Sequence, residues 1–105
     1  MNRVEFTEKA VILLLLMILA GERPIIDYVK RSTEEQKRLY KKGLSKCDGV
    51  KKKSKHQYGK AIDIYLINEK GRIIWNKEKY RFWHSVWKHI LGGKEMIEWD
   101  IAHFE

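Results

Sequence analysis

At 105 residues the chain has room for one domain, and a hydrophobic content of 44% that includes four Trp, five Tyr and three Phe excludes a disordered tail. A single cysteine, Cys47, excludes an intrachain disulfide and any multi-thiolate metal site, so a tight transition-metal site must draw on His, Asp and Glu. The net charge of +8, from 22 Lys and Arg against 14 Asp and Glu, points to an anionic partner such as nucleic acid, acidic lipid or a cell-wall polymer.

The first element is a helix over roughly residues 5 to 20, opened near Thr7 and carrying the run "AVILLLLMILAG". That run falls short of the about 20 apolar residues a bilayer span needs, so no stable membrane span is expected. As a secretory signal it is imperfect, because Glu5 and Glu8 occupy the leader and no A-x-A site follows. A buried helix is the better reading, with a short cleaved signal the alternative. "PIIDYVKR" then alternates as a short strand, and "STEEQKRLYKKG" carries helix punctuation: a Ser32/Glu35 capping box, an apolar edge at Leu39 and Tyr40, and Gly43 as the stop. Residues 44 to 55 form a basic loop ending in "KKKSK". "KAIDIYLI" and "RIIW" flank "NEKG", which predicts a β-hairpin over residues 60 to 75 with a four-residue turn. In "KEKYRFWHSVWKHILGG" the residues Tyr80, Trp83, Trp87 and Ile90 share one helical stripe before a double-glycine stop. "KEMIEWDIAHFE" closes the chain as a short strand or turn. The fold class is α+β: a small antiparallel sheet with helices packed on it, in a single domain over residues 1 to 105.

Within "KAIDIYLI", alternation alone puts Ala61, Asp63 and Tyr65 on a solvent face and Ile62, Ile64 and Leu66 on the core face. An acid in such a run invites a second reading, since a buried carboxylate needs a cation, a metal or several donors beside it. Of the four histidines, His84 and His89 are five apart on a helix and do not share a face, so both read as packed or partly exposed rings. His56 precedes Asp63 by seven residues with Gly59 between them, and His103 follows Asp100 by three. Two imidazoles and a carboxylate make a zinc site with one position left for water, and His56, Asp63 and His103 form such a triplet with Asp100 as a spare carboxylate. Spacing alone does not make this constellation unique.

"SKHQYGKAID" fits S-x-H-x-x-G-x-A-x-D, "DIAHFE" fits D-x-x-H-F-E, and "KRSTEEQKRLYKKG" fits R-[ST]-x-E-E-Q-x-x-L-Y-x-x-G. These motifs, in this order, resemble the zinc peptidoglycan peptidases that include D-alanyl-D-alanine carboxypeptidases, vancomycin-resistance dipeptidases and phage L-alanyl-D-glutamate endopeptidases. The small size and "HFE" terminus look most like the phage endolysin branch. The resemblance implies zinc on His56, Asp63 and His103, with Asp100 as general base and acid. It also implies that Arg31 binds substrate near the scissile carbonyl and that Ser54 is a further substrate contact. The stretch "LGGKEMIEW" is shorter and more acidic than is usual in the family, which bears on specificity more than on catalysis.

The implied activity is hydrolysis of a stem-peptide bond, L-alanyl-D-glutamate first and D-alanyl-D-alanine second, by a monomer made in the cytoplasm and acting on the cell wall. The basic surface would then serve anionic wall polymers. A rival of a different class is a small nucleic-acid-binding protein using "KKKSK" and the aromatic residues. It explains neither the ordered motifs nor Asp63, so nucleic acid is not the expected partner.

Overall fold

The computed structural model describes residues 1–27 and 59–105. The expected helix after Ser32, the basic loop, Cys47, and the candidate residues Arg31, Ser54 and His56 lie outside the described residues. Helix α1 spans Arg3–Leu19 and strand β1 spans Pro24–Ile26. Strand β2 covers Ile62–Leu66, helix α2 Lys77–His89, and strand β3 His103–Phe104. Among the described residues, two helices and an antiparallel sheet of order β1-β2-β3 make the architecture α+β.

Helix α1 begins at Asn2 rather than near Thr7. The Asn2 side chain accepts a hydrogen bond from the Glu5 N–H at 2.8 Å, while the Thr7 hydroxyl donates back to the Arg3 carbonyl inside the helix. It ends in a left-handed turn at Gly21, φ 88°. There the Glu22 N–H donates to the Met17 carbonyl and the Gly21 N–H to that of Ile18, the paired bonds of a Schellman stop. Phe6, Ala10, Leu13 and Met17, spaced four, three and four apart, bury the inner face. Among the described residues no helix is long and apolar enough to cross a membrane.

Strand β2 is the central strand, and that position decides the fate of its aspartate. Its register sets Pro24 against Leu66 and Ile26 against Ile64 on one side, and Ile62 against Phe104 and Asp63 against His103 on the other. Ile62, Ile64 and Leu66 pack with both helices in the core, as alternation predicts. The opposite face departs from that reading: Ala61 and Asp63 are buried and Tyr65 is half-buried, with His103 of β3 beside Asp63 and residues 99–102 beside Tyr65.

The hairpin after β2 is shorter than expected. Asn68 organises its turn, its side chain accepting from the Lys70 and Arg72 N–H groups, and Gly71 supplies a φ of 77°. The return arm makes one bridge, Ile67 to Ile73, flanked by bonds from the Asn68 N–H to the Arg72 carbonyl and from the Ile74 N–H to the Leu66 carbonyl. It shares one edge of β2 with β3, which takes the Ile62–Asp63 end through a bond from the Ile64 N–H to the Ala102 carbonyl. On that edge the Leu66 N–H donates to the Tyr80 hydroxyl at 3.0 Å, so α2 completes the pairing.

Helix α2 is capped by the Asn76 side chain, which accepts from the Glu78 N–H at 3.1 Å. Tyr80, Trp83 and Trp87 face the core as the stripe predicts, joined by His84. Ile90 does not follow them; it is exposed at the helix end, and Leu91 is buried in its place as the chain leaves the helix. Glu22, just past α1, accepts from the Trp83 indole N–H at 3.0 Å and pairs with Lys79 at 2.9 Å, tying the two helices together.

The Candidate metal centre

Three side chains from the last two strands of the sheet and the turn between them converge. Asp63 on β2 and His103 on β3 are direct cross-strand partners, and Asp100 closes the turn that feeds β3. The bond from the Ile64 N–H to the Ala102 carbonyl makes Asp63 and His103 a non-hydrogen-bonded pair, the kind in which antiparallel side chains approach most closely. His103 Nδ1 lies 3.4 Å from Asp63 Oδ1 and 3.9 Å from Asp100 Oδ2. Ligand atoms of Asp63, Asp100 and His103 all lie within 4.8 Å of one another, so this group could hold a metal ion. One nitrogen and two carboxylate oxygens suit a borderline or hard divalent cation.

Burial divides the two acids. The Asp63 side chain is 7% exposed and that of His103 11%, whereas that of Asp100 is 36% exposed. Asp63 is thus a carboxylate held in the fold, and Asp100 is open to exchange with water. Burial works against charge on His103, but the hydrogen bond to Asp63 and the charges of Asp63, Asp100 and Glu105 together outweigh it. The His103 pKa therefore stands above the ordinary histidine value, and the cluster favours positive charge at its centre.

Sequence reasoning placed Asp63, Asp100 and His103 at the site, and the fold brings all three together. It missed two supporting residues. Glu105 sits on the far side of the imidazole, with its carboxylate 3.6 Å from His103 Nε2, which leaves Nδ1 facing the two aspartates. A carboxylate behind a ligating histidine is a common way of fixing its orientation. The signal was present in the two-residue spacing of His103 and Glu105, which puts both on one face of an extended segment.

The second is His84. Its Nε2–H donates to the Ile101 carbonyl at 2.7 Å, between Asp100 and His103 in sequence, and its ring lies flat on Phe104 at 3.9 Å. Burial pushes its pKa down to about 4, against the pull of the Ile101 carbonyl and with help from the charge on His103. His84 is thus a neutral ring that pins the metal-site turn. Its other nitrogen, Nδ1, is buried with no hydrogen-bond partner among the described residues.

The chain's end is fixed just as firmly. The Trp87 indole N–H donates to the Glu105 carbonyl at 2.9 Å, and the Lys94 N–H donates to the same oxygen at 2.8 Å. Gly93 makes this possible: a Cβ there would stand 1.9 Å from the Trp87 indole nitrogen. Comparison of the sequence with family models and with curated proteins finds no match.

Proposed function

We propose that the chain is a zinc-dependent peptidase of bacterial peptidoglycan, with the L-alanyl-D-glutamate bond as its first target and a terminal D-alanyl-D-alanine bond as the second. The observation that carries this reading is the convergence of Asp63, Asp100 and His103, forty residues apart at the extremes, from two of the motifs that the resemblance rests on. In this reading Asp63 and His103 are zinc ligands, His56 completes the set, and Asp100 handles protons. The donor set fits, because zinc takes histidine nitrogen and carboxylate oxygen and keeps a position open when catalytic.

When bound, zinc would supply a Lewis acid that lowers the pKa of a bound water toward about 7 and polarises a peptide carbonyl. The chain's residues supply the rest. Asp100, the most exposed of the three, is suited to take a proton from the attacking water and to return it to the leaving amine. Asp63, buried in the central strand, holds its oxygen in place without exchanging it with solvent. Glu105 keeps Nδ1 of His103 turned toward the aspartates. Arg31 is assigned to the scissile carbonyl and Ser54 to a further substrate contact. The net charge of +8 suits a substrate embedded in anionic wall polymer.

Mass spectrometry of purified peptidoglycan after digestion tests the activity. New L-alanine carboxyl termini with new D-glutamate amino termini are expected. Release of D-alanine alone would reassign the chain to carboxypeptidase work, and the absence of any new terminus would refute the peptidase.

A further inference from the structure

Next to the metal cluster, Tyr65, Trp75, Lys77, Glu98, Trp99 and Asp100 line a groove of about 320 Å³. Asp100 belongs to both groove and cluster, so the two are continuous. Trp75 is 64% exposed and Trp99 68%, in a protein whose other two tryptophans are buried. Indoles are strongly buried on average, and two of them open to solvent in one groove mark a surface shaped for a ligand. The Trp75 ring is held edge-on by Tyr65 at 5.8 Å, so its face is oriented rather than free to collapse.

The groove's polar rim is charge-compensated. Glu98 pairs with Lys77 at 3.3 Å and with Arg81 at 3.4 Å, which leaves hydrogen-bonding capacity with little net charge. Flat apolar faces beside charge-paired polar groups match an amphiphilic ring, with C–H groups on one face and hydroxyl or acetamido groups around its edge. Stem-peptide side chains offer carboxylates, methyls and ammonium groups; an ammonium can sit over an indole, but only a sugar ring presents it with a flat C–H face.

We propose that this groove is a saccharide subsite that seats an N-acetylated hexosamine ring of the glycan strand against Trp75 and Trp99 while the attached peptide crosses Asp100. This rests on the peptidoglycan reading and narrows it. A sugar bound beside Asp100 places the cut close to the glycan, as at L-alanyl-D-glutamate, and far from the D-alanyl-D-alanine end.

The probe is a tetramer of N-acetylglucosamine, which has no stem-peptide bond to cut, titrated calorimetrically into the full chain. Wild type should bind it, and Trp75→Ala and Trp99→Ala should each weaken binding about tenfold, the scale of one lost aromatic contact. Both residues are exposed, and unchanged thermal unfolding of the variants would verify their fold. No binding by wild type, or equal binding by wild type and both variants, overturns the subsite whatever the hydrolytic activity. Glycan binding lost in the variants, with no peptidoglycan bond cut by wild type, would keep the subsite and remove the peptidase.

Discussion

Asp63 Oδ1 and His103 Nδ1 stand 3.4 Å apart across the β2–β3 pair, one from the central strand and the other two residues from the end of the described chain. Their proximity is produced by register. A slip of one residue would turn Asp63 to the other face and bring a core isoleucine opposite His103. Whatever fixes β3 therefore fixes the candidate metal centre.

The carboxylate behind His103 should tune metal affinity without being a ligand. Glu105→Gln removes the charge near Nε2 and should weaken zinc binding by about 10–100-fold, the usual cost of losing such a partner. Competition with a chromophoric chelator measures this. Wild-type affinity in Glu105→Gln would mean that the His103 ring is oriented by the backbone alone.

Gly93→Ala should destabilise the fold, since the new methyl collides with the Trp87 indole beneath the bonds that anchor Glu105. Overpacking of this kind costs about 1–3 kcal/mol, which for a domain of this size lowers Tm by about 4–8 °C per kcal/mol. Thermal unfolding followed by circular dichroism checks it, and zinc affinity should fall along with Tm.

Acid should weaken the fold through His84. Its folded pKa of about 4 lies below the unfolded value of 6.5, so the unfolded chain binds the proton more readily. The stability tied to the neutral ring is complete above about pH 6.5 and is lost as pH falls from there toward 4, by up to about 3 kcal/mol. Denaturant unfolding of metal-free protein at pH 7 and pH 4.5 should show a smaller difference for His84→Gln than for wild type. An equal difference in the two proteins would assign the acid sensitivity to other groups.

Much of this was legible in the sequence where local physics decides. The α2 stripe of Tyr80, Trp83 and Trp87 follows from helical spacing, and Ile62, Ile64 and Leu66 follow from strand alternation. What escaped depends on contacts distant in sequence. The pairing of Asp63 with His103 requires β3, which no local pattern in "KAIDIYLI" announces. Ile90 failed its expected place because the helix stops there, which hands the last core position to Leu91. The role of His84 arises from the Ile101 carbonyl and the Phe104 ring, both reached only through the fold. The opening of α1 at Asn2 turned on a choice between two nearby polar side chains, and Thr7 was already bonded within the helix.

Asp63 is proposed to hold the metal while Asp100 moves the proton, and paired asparagine variants separate these roles. Zinc content by inductively coupled plasma mass spectrometry should be near wild type for Asp100→Asn and strongly reduced for Asp63→Asn. Peptidoglycan hydrolysis by zinc-loaded Asp100→Asn should fall by about two or more orders of magnitude, the scale of general-base catalysis. Loss of zinc from Asp100→Asn, with Asp63→Asn retaining both metal and activity, would exchange the roles of the two aspartates.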